Sequence, residues 1–272
     1  MTGASEWQAD VGRNWAELYA LTDRCFGGLT QRLLDRIADF EARDVLDVGC
    51  GAGEVSLAIA RTRPHARVIG LDISPDLIAA ATHRGTMHPN ASFELGDAAQ
   101  WRREGFAPDL LVSRHGVMFF DDPVAAFSHL NAIAAPGANL VFSCFRSARE
   151  NRWAADIARM IDQPPPGEGY VPGPFAFADP QFVEALLTAA GWAGVDIAPV
   201  DFAYVAGTGA DPVADARAFF ARIGPAARAL REVSPEDRPA LEARIGEWLE
   251  EHRSGDMVLF GAAAWIVTAR RD

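Results

Sequence analysis

Apolar residues near the start of the chain recur at helical spacing: Trp15, Leu18 and Tyr19, then Leu29, Leu33, Leu34 and Ile37. Gly27-Gly28 falls between the two groups, which predicts two amphipathic helices separated at the glycines. From Asp44 the rhythm changes to short apolar runs alternating with helical segments. Runs at 44–49, 67–73, 92–95, 109–113 and 139–145 predict five strands, the first of them buried. Between them lie a helix over 55–63, stopped by Pro64, one over 75–84 opened by Ser74 and Pro75, and one over 122–135. Strands alternating with helices at this interval imply a parallel sheet covered on both faces, with ligands at the carboxyl ends of its strands.

After Phe145 the pattern loosens. Residues 146–161 read as a helix, and 163–178 (QPPPGEGYVPGPFAFA) hold too much Pro and Gly for a regular element. A capped helix over 179–190, a strand over 195–205, helices across 211–253 broken at Gly224-Pro225 and Ser234-Pro235, and a last strand over 257–269 complete the chain. The economical organisation is one sheet core, made of 41–145, 179–210 and 255–272. A cap is then built from 1–40, 146–178 and 211–254.

Composition narrows the chemistry. Among 272 residues, 37 are acidic and 25 basic, for a formal net charge of −12. Every basic residue is Arg, which excludes a Schiff-base or phosphate-loop lysine. The acidic excess argues against a general grip on nucleic acid or an anionic membrane. Cys25, Cys50 and Cys144 are far apart, with no CxxC and no Cys/His cluster, so neither a metal site nor a disulfide framework is expected. Reduced thiols, the lack of a secretory pattern at the start and the absence of a run of about 20 apolar residues point to a cytoplasmic protein.

The strongest local signal is VLDVGCGAGEVSLAIA over 45–60. A strand carries Asp47 into a turn where Gly49, Gly51 and Gly53 keep side chains out of the way, so that backbone can lie against a ligand. The dinucleotide fingerprint GxGxxG/A is not met, because Glu54 stands where its third small residue belongs. A diphosphate beside Glu54 and Asp47 would meet uncompensated negative charge; a cationic or zwitterionic ligand would not. Asp72 ends the second strand and Asp97 follows the third. In a parallel sheet both lie beside the glycine loop, and an ionised carboxylate can accept from two ribose hydroxyls or from an exocyclic amine.

With these features in the right order, the segment 44–145 resembles the class I S-adenosylmethionine-dependent methyltransferases. Residues 45–53 match their first motif, Asp72 their ribose acid, Gly96-Asp97-Ala98 their adenine contact, DLLVSRHG (109–116) their fourth strand and PGANLV (136–141) the turn into their fifth. Trp7, Gly12, Trp15, PFAFADP (174–180) and GAAAWIVTAR (261–270) are similar to a bacterial small-molecule branch. Ala52 departs from the Thr that many relatives carry. The resemblance implies an α/β fold with a doubly wound, mostly parallel seven-stranded sheet, capped by helices. It also implies S-adenosylmethionine as cofactor, with S-adenosylhomocysteine as product. Cofactor contacts fall to Asp47, Gly49, Cys50, Gly51, Gly53, Asp72, Ile73, Asp97, Ala98, Ser113, Arg114 and Trp15, with 1–40 as a lid.

The acceptor side stays open at this level. His115 is either a general base, with an ordinary pKa near ~6.5, or a satisfied polar residue at a strand end. Arg114 either holds a carboxylate or pairs with Asp121 or Asp122. Tyr19, Trp153 and Phe175 are candidates for an apolar substrate pocket, or else belong to the core. The expected function is methyl transfer to O, N or C of a small molecule by a monomer or homodimer. A non-catalytic cofactor-binding protein and a nicotinamide-dependent oxidoreductase are the rivals.

Overall fold

The structure, a computed structural model, describes residues 4–162 and 169–272; the prolines at 164–166 lie outside the described residues. Three helices open the chain, α1 (Ala4–Trp7), α2 (Asp10–Glu17) and α3 (Tyr19–Ala38). Then come β1 (Asp44–Val48), α4 (Glu54–Thr62), β2 (Arg67–Asp72), α5 (Pro75–Arg84), β3 (Ala91–Leu95), β4 (Leu110–Arg114), α6 (Pro123–Ile133) and β5 (Asn139–Phe145). The remainder is α7 (Arg152–Met160), α8 (Pro180–Ala189), β6 (Trp192–Thr208), α9 (Pro212–Phe220), α10 (Gly224–Glu232), α11 (Arg238–Glu251), β7 (Arg253–Ser254) and β8 (Met257–Arg271).

The strands form one sheet in the order β3-β2-β1-β4-β5-β8-β6, with β7 pairing β8 as a short hairpin. That hairpin makes eight strands instead of the seven expected. β1 to β5 are mutually parallel, whereas β8 runs antiparallel to β5 and β6. Strand order runs outward from β1 to β3 and then returns to β4 beside β1, so the crevice for a ligand opens where β1 and β4 end. Side chains alternate between two cores: Leu46, Leu111, Leu140 and Phe142 join one face, and Val45, Leu110, Val112 and Val141 the other. Burial on both faces is why these strands read as continuous apolar runs. Among the described residues no helix is long and apolar enough to cross a membrane.

Two expected elements differ. The chain does not break at Gly27-Gly28; α3 runs through both, and the interruption falls at Leu18 (φ −106°, ψ 21°). Each glycine costs a helix about 1 kcal/mol against alanine. Burying Phe26, Leu29 and Leu33 returns roughly 1.5–3 kcal/mol apiece, which decides the matter. Gly28 also brings α3 close to β6, since a Cβ there would sit 3.5 Å from that of Phe202.

The helix expected over 146–161 splits at Asn151. Its fully buried side chain accepts from the Ala263 N–H and donates to the Ala263 carbonyl, each at 3.0 Å, so it docks on β8 as a neighbouring strand would. A 3₁₀ turn (Ala148–Glu150) precedes it, and α7 starts just after it, which fixes the position of Trp153. Asn151→Ala leaves the Ala263 N–H without an acceptor. It is expected to cost about 2–3 kcal/mol, a fall in melting temperature on the order of 10 °C. A variant melting within about 2 °C of the parent would show that this docking does not hold α7 in place.

Candidate functional site

The end of β1 turns through three glycines with positive φ: Gly49 (66°), Gly51 (56°) and Gly53 (85°). The loop is stitched to β2, as the Gly49 and Cys50 N–H groups both donate to the Leu71 carbonyl, at 2.8 and 3.0 Å. Asp72 finishes the work: its two oxygens accept from the Gly51 and Ser74 N–H groups, each at 2.9 Å. A Cβ on Gly49 would lie 2.8 Å from the Gly116 Cα, so backbone passes against backbone where β1 and β4 end. The Ser113 hydroxyl secures that passage, donating to the Val48 carbonyl at 2.6 Å and accepting from the Gly116 N–H at 3.1 Å.

Over these strand ends lies a cavity of about 500 Å³. Of the residues singled out from sequence, Asp47, Gly49, Cys50, Gly51, Asp72, Ile73, Asp97, Ala98, Arg114, His115, Trp15 and Trp153 line it. Four do not. Gly53 starts α4 behind the loop, where a Cβ would strike the Phe93 ring at 2.9 Å, and Ser113 is buried beneath the floor. Tyr19 turns away to lie under the Arg84 guanidinium, 4.3 Å from its ring centre. Phe175 packs behind Phe145 and Trp153, while the adjacent Pro174 reaches the wall. Sequence reasoning missed Asp23, Phe26, Phe145, Tyr204 and Phe220, which come from distant elements and carry no local motif.

Charge in the lining is lopsided. Among the described residues of the lining, Asp23, Asp47, Asp72, Asp97, Asp121 and Asp122 face one cation, Arg114. Its partners are not Asp121 or Asp122. Arg114 is ion-paired with Glu54, donates to the Thr30 hydroxyl at 2.8 Å and lies 3.5 Å from Asp23, because its side chain turns toward α3 and α4. Asp23 in turn pairs with Arg84 at 2.8 Å. Glu54 is therefore compensated, and the negative field at the loop comes from Asp47 and Asp72.

Asp47 is 1% exposed; its Oδ2 accepts from Ser56 at 2.5 Å and its Oδ1 has no partner. Burial raises its pKa from an ordinary 3.8 to about 6, against the pull of the Ser56 bond. Burial also raises Asp72, opposed by the N–H groups of Ser74 and Gly51. Asp97 sits exposed at the rim, accepting from the Ala99 N–H at 2.9 Å. The Cys50 thiol is pushed well up by burial and by Asp72 and Asp47, so it is no nucleophile.

His115 is open from sequence to two readings, a general base or a satisfied polar residue at a strand end. Its backbone is held at φ 60°, and its ring stacks on Phe145 at 4.0 Å with neither ring nitrogen hydrogen-bonded. Removal from water, with Arg114 adjacent, lowers its pKa to about 3. At neutral pH it is an uncharged imidazole with little appetite for a proton.

A family model described as a methyltransferase domain matches residues 21–196. The chain belongs to this methyltransferase-domain family. It is similar to a trans-aconitate 2-methyltransferase of Variovorax paradoxus, 37% identical over 107 residues, covering 39% of this chain and 40% of that protein. A malonyl–acyl-carrier-protein O-methyltransferase of Halalkalibacterium halodurans is 30% identical over 120 residues, covering 42% and 44%. The chain thus spans about two-fifths of the length of these curated relatives. Among solved structures, the YcgJ protein of Bacillus subtilis superimposes with a TM-score of 0.56 at 15% identity, over 88% of this chain and 97% of that one. Phosphoethanolamine N-methyltransferase 2 of Haemonchus contortus, solved with phosphomonomethylethanolamine and S-adenosylhomocysteine, gives 0.52 at 14%, over 90% and 52%. At these identities the structural likeness speaks for the fold. In this family member, the buried acid of the glycine loop carries a testable cost.

Because the Asp47 pKa is higher folded than unfolded, ionising it penalises the folded state. The penalty is absent below about pH 4 and complete above about pH 6, near 3 kcal/mol. Ligand-free Asp47→Asn should match the parent in stability near pH 4 and exceed it by up to roughly 3 kcal/mol at pH 7. A stability difference that does not change between these pH values would mean that Asp47 is not the strained carboxylate.

Proposed function

We propose that the chain is an S-adenosylmethionine-dependent methyltransferase acting on a small-molecule acceptor. The observation that carries this reading is the unpartnered, buried Oδ1 of Asp47, in one cavity with the open glycine turn and with Asp72 and Asp97 at successive strand ends. A buried acceptor without a donor fits a ligand ammonium. Asp72 keeps a free lone pair on each oxygen after accepting from Gly51 and Ser74, which suits two ribose hydroxyls. Asp97 and Ala98 flank the place for adenine, and the bare backbone of Gly49 and Gly51 allows close approach. The donor supplies a methyl already activated by a positively charged sulfur.

The chain's own work is alignment and exclusion of water. Trp7 and Trp15 come from α1 and α2, and these helices dock tightly: a Cβ on Gly12 would fall 2.2 Å from the Ser74 hydroxyl. That docking supports residues 1–40 as the lid, with 146–178 and 211–254 contributing the outer wall through Trp153, Pro174, Phe220 and Ile223. The paired state of Arg114 and the ring of carboxylates speak against a nicotinamide dinucleotide, whose diphosphate would find no free cation. Turnover with a mixed acceptor library separates an enzyme from a non-catalytic binder.

Calorimetry tests the cofactor site. S-adenosylhomocysteine is expected to bind without added metal. Asp72→Ala should weaken S-adenosylmethionine and S-adenosylhomocysteine alike by about 2–4 kcal/mol, roughly thirty- to a thousand-fold. The same variant should melt lower, since it frees two N–H groups of the loop and of α5. Binding of both within threefold of the parent would remove Asp72 from the site.

A further inference from the structure

Part of the cavity is walled by flat rings. His115 stacks on Phe145 (4.0 Å, 21° between planes), and Trp153 stacks on Tyr204 (5.3 Å, 10°). Phe145 stands between them, 5.3 Å from Trp153. Amid these rings are polar atoms that the protein leaves unsatisfied: both ring nitrogens of His115 and the indole Nε1 of Trp153. Unmade hydrogen bonds of this kind cost a folded protein about 1–3 kcal/mol each, and a ligand that makes them recovers that cost. A neutral imidazole offers one donor and one acceptor, and an indole one donor. A hydroxyl, which donates and accepts at once, can answer either.

Charge excludes the alternative polar handle. Among the described residues of the lining, the one cation, Arg114, is already held by Glu54, Asp23 and Thr30, and the other charged residues are carboxylates. A carboxylate entering here would lose its water with no counter-charge to receive it, and would meet like charge besides. His115 does not supply that counter-charge, because it stays neutral beside Arg114.

We propose that this aromatic part of the cavity receives an uncharged aromatic molecule bearing a hydroxyl, held through His115 or the Trp153 indole N–H, and that it rejects carboxylates. The assignment of that molecule as methyl acceptor rests on the methyltransferase reading; the grip itself does not.

The test uses three matched probes, 2-naphthol, 2-naphthoate and 2-methoxynaphthalene, titrated at pH 7 into the full chain with and without saturating S-adenosylhomocysteine. 2-Naphthol should bind at least roughly tenfold more tightly than 2-naphthoate. It should also bind about three- to tenfold more tightly than the methyl ether, which cannot donate. Trp153→Phe and His115→Phe keep a ring in place and remove the nitrogens. At least one of the two should weaken 2-naphthol about three- to tenfold, and both should leave S-adenosylhomocysteine affinity within about twofold; 2-naphthol affinity unchanged in both overturns the grip. Naphthoate binding as tightly as naphthol, or no binding of any probe, overturns the proposal. If naphthol is preferred but S-adenosylhomocysteine does not bind, the grip stands and the methyltransferase reading falls.

Discussion

The ion pair between Arg114 and Glu54 is the constraint on which the rest of the site depends. Extended through Asp23 to Arg84, it ties the end of β4 to α3, α4 and α5 in a setting largely shielded from water. Removing one member of such a network strands a charge and costs about 3–5 kcal/mol, far more than an exposed pair would. Its second effect is chemical. It commits Arg114 to structure, so what faces a ligand is negative near Asp47 and Asp72 and neutral, aromatic and under-bonded near Phe145.

That division explains two residues that look anomalous alone. Asp47 is buried without a second partner, which penalises the ligand-free fold and suits the ammonium of the proposed ligand. His115 is a non-glycine residue at positive φ, a conformation that costs free energy and collects at functional sites. The sharp turn after β4 leads into Gly116, which must lie against Gly49, and the same turn sets the imidazole flat on Phe145 with its nitrogens unbonded.

The sequence was most legible where structure is local. β5 and α5 fall on their expected bounds because apolar runs, Ser74-Pro75 and Pro136-Gly137 each mark an end within a few residues. Asp47, Asp72 and Asp97 could be placed because parallel strands must bring their carboxyl ends together. Where tertiary contacts decide, the reading failed. Burial of Phe26, Leu29 and Leu33 overrides the glycine pair in α3, and Asn151 breaks a helix to bond β8, more than a hundred residues away. Arg114 chose Glu54 and Asp23 over its sequence neighbours for the same reason, and Tyr19 turned toward Arg84 instead of the cavity. The weak basicity of His115 comes from burial and a neighbouring charge, neither of which a one-dimensional pattern records.

The most direct test of the account is the number of protons exchanged when S-adenosylhomocysteine binds, measured by calorimetry near pH 6 in buffers of different ionisation enthalpy. If the ligand ammonium meets Asp47, binding lowers a pKa that stands at about 6 in the free protein. Up to about half a proton should then be released in the parent, and markedly less in Asp47→Asn. No release in the parent, or equal release in both proteins, would contradict the placement of the amino group against Asp47 and with it the orientation of the ligand in the cavity.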